Sequence, residues 1–143
     1  MLSSEIIAVV RGYTAVMATL AKWDQHGVAD FLRDILRTAP RDVRYRSGRA
    51  FLTAYQLSIE LSNRHPQVAQ AITPRTGGQG QGPYALTTYI AKQLSARIRR
   101  GVVTDMEISF LGSLHLTRLD FSGGLRATTT QQNHASILFR LIR

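Results

Sequence analysis

The sequence predicts an α+β fold: a helical N-terminal part over residues 1–100, with about four main helices, followed by a small antiparallel β-sheet over 101–143. Two observations carry this. Apolar residues recur at helical spacing up to Ile98, and they alternate with polar residues from Met106 onward. Proline and glycine breaks fall between the segments. A chain of 143 residues with 44% hydrophobic and 19% charged residues reads as one globular domain spanning 1–143.

Each element has its own signature. Val9, Val10, Tyr13, Val16, Met17 and Leu20 form one apolar stripe, and Arg11 and Lys22 lie off it. A break follows at Trp23 to Gly27, where Asp24 is placed to cap the next helix. Val28, Phe31, Leu32, Ile35 and Leu36 make a second stripe, opposite Asp30, Arg33, Asp34 and Arg37, and Pro40 stops it. Residues 41–49 read as an Arg-rich loop. A third helix is expected over 50–64, with Phe51, Leu57 and Leu61 in the core, and its nearly all-round apolar surface makes it the central one. A short helical turn, 67–72, follows Pro66. Thr73 to Pro83 is glycine-rich with no apolar side chain, the composition of a flexible loop. The fourth main helix, 84–100, begins after Pro83 and ends at Gly101. Strand-like alternation then appears at 106–110, 114–121 and 137–141, with turn signals at Gly112-Ser113 and Ser122-Gly124.

Charge points furthest toward function. There are 18 basic and 9 acidic residues, a net charge of +9, and only Lys22 and Lys92 among the basic ones are lysine. Arginine makes planar, bidentate contacts with phosphate and stacks on bases. From Glu60 to Asp105 no acidic residue intervenes, while Arg64, Arg75, Lys92, Arg97, Arg99 and Arg100 accumulate. Such a stretch repels itself unless an anion lies near it.

Several chemistries are excluded or weakened. The absence of cysteine removes disulfides, thiolate zinc sites and a cysteine nucleophile. No apolar run approaches membrane-spanning length, so no membrane partner is expected, and a cytoplasmic location is. His26, His65, His115 and His134 are too far apart for a helical zinc pair. Neither a P-loop nor a dinucleotide fingerprint is present. No metal or other cofactor is therefore expected.

The expected function is non-catalytic nucleic-acid binding, to duplex DNA rather than RNA, because aromatics are not gathered on one strand. Helix 84–100 followed by a hairpin candidate at 105–121 is a winged-helix-like order, with Thr88, Lys92, Ser95 and Arg99 reaching a groove and Tyr84 and Tyr89 flanking it. Arg41, Arg44, Arg46 and Arg49 would neutralise phosphates. The alternative is an adaptor or subunit whose basic face meets an acidic protein. A third reading is a small nuclease with Asp105 and Glu107 on a divalent ion. A homo-oligomer is compatible with all three.

Overall fold

A computed structural model describes residues 22–73, 83–112, 114–116, 118–122, 125–128 and 137–143. The first predicted helix up to residue 21, residues 74–82 of the glycine-rich segment, and residues 129–136 with His134 lie outside the described residues. Described helical structure begins at residues 22–25 and continues as α1 (Val28–Arg37). Gly27, not Asp24, caps α1: it sits at φ 61°, a left-handed conformation glycine adopts without strain. At the other end the Thr38 hydroxyl and N–H both donate to the Ile35 carbonyl.

A two-stranded hairpin follows, β1 (Arg41–Asp42) with β2 (Gly48–Arg49). The 41–49 segment is thus a hairpin rather than an irregular loop. Next come β3 (Leu52–Thr53), α2 (Ala54–Arg64), α3 (Pro66–Ile72), α4 (Pro83–Arg99), β4 (Met106–Phe110), β5 (Arg118–Phe121), β6 (Leu125–Thr128) and β7 (Ile137–Leu141).

The third helix begins four residues later than its apolar pattern suggests, and the cause is local. Thr53 accepts the Gln56 N–H at 3.0 Å while Gln56 Oε1 accepts the Thr53 N–H at 2.8 Å, a reciprocal cap. Residues 52–53 are thereby left to pair as a strand with β7. Phe51 is half-buried beneath the Arg140 guanidinium, 4.3 Å from its ring centroid, whereas Leu57 and Leu61 are fully buried as expected.

The sheets also differ from the hairpin expected over 105–121. β7 is the central strand of a three-stranded antiparallel sheet in the order β3-β7-β4, and β5 pairs with β6. The alternation at 106–110 is paired with the chain's last strand, not with 114–121. Leu114 and His115 lie in a turn. Phe121 attaches the β5–β6 hairpin to the helices through its ring, 4.7 Å from that of Tyr55.

One hydrophobic cluster joins these elements. It contains Val28, Leu32, Ile35 and Leu36 of α1, Leu57 and Leu61 of α2, Leu86, Tyr89, Ile90 and Leu94 of α4, Met106 of β4, and Phe139 and Leu141 of β7. α4 therefore shares the centre with α2. Among the described residues no helix is long and apolar enough to cross a membrane.

Arg33 of α1 ties the helical layer to the start of β4. It grips Asp105 with two bonds, Nε to Oδ2 at 2.5 Å and a second guanidinium N–H to Oδ1 at 3.1 Å, and also holds Asp30 at 2.6 Å. The hydrogen bond from Arg33 lowers the Asp105 pKa, with the Arg33 charge adding to it. A carboxylate pKa that is lower folded than unfolded stabilises the fold above the unfolded value, near 3.9, and that contribution disappears as pH falls through the folded value. The Tm difference between wild type and Asp105→Asn should therefore be largest near neutrality and shrink steadily below about pH 4. A difference independent of pH would show that the charge of Asp105 contributes nothing.

Candidate nucleic-acid interface

The β1–β2 hairpin is organised by one carboxylate. Asp42 Oδ1 accepts the N–H groups of Arg44 and Tyr45, each at 3.0 Å, and Oδ2 accepts the Ser47 hydroxyl at 2.5 Å. This is an Asx-type turn, in which a short side chain replaces strand pairing at a tight bend. The Ser47 hydroxyl bond, followed by the Tyr45 N–H, holds the Asp42 pKa below the usual carboxylate range. Gly48 at φ 94° completes the return, a conformation strained for any residue with a Cβ. Ala50 N–H donates to the Pro40 carbonyl at 2.8 Å and closes the base.

Two arginines fix this hairpin to the body of the protein. Arg49 donates to the Arg37 carbonyl at 2.9 Å, at the C-terminal end of α1. Arg140 of β7 donates to the Ser47 carbonyl at 2.8 Å and to the Glu107 carboxylate of β4. Arg49, expected as a phosphate contact, is instead half-buried and engaged in this backbone anchorage. Charge clustering along the chain does not mark Arg140 as part of this site. Its strand pattern gave no signal, because the Ser47 contact spans 93 positions.

Arg41, Arg44 and Arg46 project from the anchored hairpin. All three are exposed, and none forms an ion pair among the described residues. Arg44 lies over the Tyr45 ring at 5.2 Å. Val43 and Tyr45 at the tip are 89% and 74% exposed, unusual values for large apolar side chains.

Several arginines elsewhere are partnered. Arg37 pairs with Asp34 at 2.6 Å, Arg64 with Glu60 at 2.8 Å, Arg33 with Asp30 and Asp105, and Arg140 with Glu107. Arg97 is buried over the Trp23 ring at 4.8 Å, donates to the Gln93 carbonyl and Oε1, and lies 3.9 Å from Asp24; burial lowers its pKa.

On α4 the expected face is only partly exposed. Lys92 and Arg99 are exposed and Thr88 is half-buried. Ser95 is 6% exposed, a correction to its expected place on the outer face. It falls one turn from Ala91 and two from Thr87, and Thr87 lies 2.8 Å from Ser58 of α2, hydroxyl to hydroxyl. The Thr87–Ser58 contact packs this side of α4 against α2. Tyr89 is likewise buried, its ring 5.9 Å from Trp23, and cannot flank a groove.

The two carboxylates of the nuclease reading do not converge on a shared ion. Asp105 is held by Arg33 and Glu107 by Arg140. Among the described residues no group of three or more His, Cys, Asp or Glu side chains is placed to hold a metal. Comparison with family models, curated proteins and solved structures finds no match to this chain.

Proposed function

We propose that this chain binds nucleic acid without catalysis, and duplex DNA in particular, through the Arg41–Arg49 hairpin and the outer face of α4. The observation that carries the proposal is the partition of the arginines. Arg33, Arg37, Arg64 and Arg140, on the helices and the central sheet, are neutralised by nearby carboxylates. Arg41, Arg44 and Arg46 lie on one hydrogen-bonded hairpin with no acid paired to them among the described residues. Asp42, the acid within the hairpin, is occupied by the turn. Positive charges held apart from carboxylates are free to meet phosphate oxygens.

A winged-helix-like reading draws support from strand order. β3 falls between α1 and the helices α2–α4, β4 and β7 follow those helices, and the sheet runs β3-β7-β4. In this reading Thr88, Lys92 and Arg99 contact the groove while Arg41, Arg44 and Arg46 track the backbone. The exposed Val43 and Tyr45 favour a second reading, in which the same hairpin docks on an acidic protein.

Retention of the protein on immobilised duplex DNA and on an acidic protein, across a salt series, separates the two. Stronger and steeper salt-dependent retention on DNA is the expected result. Preferential retention on the acidic protein would transfer the hairpin to the adaptor reading.

A further inference from the structure

β4 is an edge strand that pairs with β7 and with no other described strand. The Asp105 carbonyl accepts the Ile142 N–H at 3.0 Å. In an antiparallel ladder bonded positions alternate, so Asp105, Glu107 and Ser109 turn their backbone groups toward β7. Met106, Ile108 and Phe110 turn theirs outward. Among the described residues, these outward N–H and C=O groups have no backbone partner.

This edge lacks the usual guards against pairing. No Pro, Lys or Arg occurs from Val102 to Gly112, and the Glu107 charge is met by Arg140. Large exposed apolar side chains flank both ends of the strand: Val102 at 69%, Phe110 at 77% and Leu114 at 83% exposure. Phe110 lies on the same strand face as Met106 and Ile108, which pack in or against the core.

We infer that β4 pairs antiparallel with β4 of a second copy, about a two-fold axis through Ile108. This register places Ile108 opposite Ile108, Met106 opposite Phe110 and Glu107 opposite Ser109 of the other copy. All the outward backbone groups gain partners, since each pair centred on residues 106, 108 and 110 exchanges both of its N–H···O bonds. Directly opposed side chains share a face, so the exposed Phe110 ring comes to rest beside Met106 of the second copy. No like charges are opposed. The two-fold also brings the Val102 end of one copy to the Leu114 end of the other, covering apolar surface that a lone chain leaves in water. Two chains of +9 repel each other, so added salt strengthens the association. The inference is independent of nucleic-acid binding.

Sedimentation equilibrium of the full chain from low to high micromolar concentration, without nucleic acid, tests it. The expected mass is that of a dimer, more strongly associated at high salt. Phe110→Pro removes one outward N–H and the exposed ring but no bond to β7, and Phe110→Lys places a charge on the edge. Each should weaken dimerisation by about tenfold or more, a change of about 1.4 kcal/mol, with an unchanged circular dichroism spectrum. The chain has no cysteine, so Ile108→Cys offers a clean second readout. Its Cα atoms would lie about 5.5 Å apart across the axis, within disulfide range, and oxidised glutathione should link the copies. Thr104→Cys should not cross-link. A monomer throughout the concentration range overturns the inference. So does a dimer indifferent to both Phe110 variants, or cross-linking of Ile108→Cys no faster than of Thr104→Cys.

Discussion

Phe139→Ala should cost about 3–5 kcal/mol of stability, read as a shift in the urea midpoint at unchanged slope. Phe139 is fully buried in the central strand β7, paired in register with Leu52 on one side and Ile108 on the other. Its ring belongs to the cluster shared by α1, α2 and α4. Truncation removes apolar contact area and leaves a void where a three-stranded sheet meets three helices, which cannot all move inward together. Leu138, half-buried on the other face of the same strand, provides the contrast: its truncation should cost clearly less. Equal losses would mean that the sheet does not present Phe139 to the helices.

The second large effect is on binding. Arg44→Ala/Arg46→Ala should lower duplex DNA affinity roughly 60-fold at about 0.1 M salt, since each arginine that neutralises a phosphate is worth about 0.9 decade there. Arg37→Ala removes an exposed arginine too, but one already paired with Asp34, and should cost much less. The comparison separates a site from a general loss of positive charge. Both variants leave the anchors Arg49 and Arg140 in place.

Helices were legible in the sequence where a single amphipathic stripe meets clear punctuation. α1 matches its apolar stripe and stops before Pro40, and α4 starts at Pro83 and ends before Gly101. The start of α2 was not legible from periodicity, because Phe51 and Leu52 continue the apolar run. The Thr53–Gln56 cap decides the boundary. Thr-x-x-Gln is a readable signal for that cap.

Strand positions were partly legible, but partners were not. Alternation marks 106–110 and 137–141 equally well as neighbours of any strand, and their pairing closes a long loop that no local pattern specifies. The hairpin at 41–49 was hidden for a different reason: its strands are two residues each, and an aspartate side chain and two distant arginines hold its shape.

The same limit applies to the candidate interface. Charge clustering along the chain drew attention to Arg41, Arg44 and Arg46, which are exposed together on the hairpin. It could not separate Arg49, which caps α1 from a position inside the cluster, because the carbonyl it binds lies twelve positions earlier in the chain. On α4 a polar residue every three or four positions suggested an outer stripe. Ser95 satisfies that spacing yet lies buried, since small polar side chains allow close helix approach as readily as they face solvent.

The central claim, that the unpaired arginines of the hairpin meet phosphate, is tested most directly by the salt dependence of duplex DNA binding for wild type and Arg41→Ala/Arg44→Ala/Arg46→Ala. The slope of log K against log salt should become shallower by about 0.9 for each arginine removed, with the fold intact by circular dichroism. An unchanged slope in a folded triple variant would contradict the account.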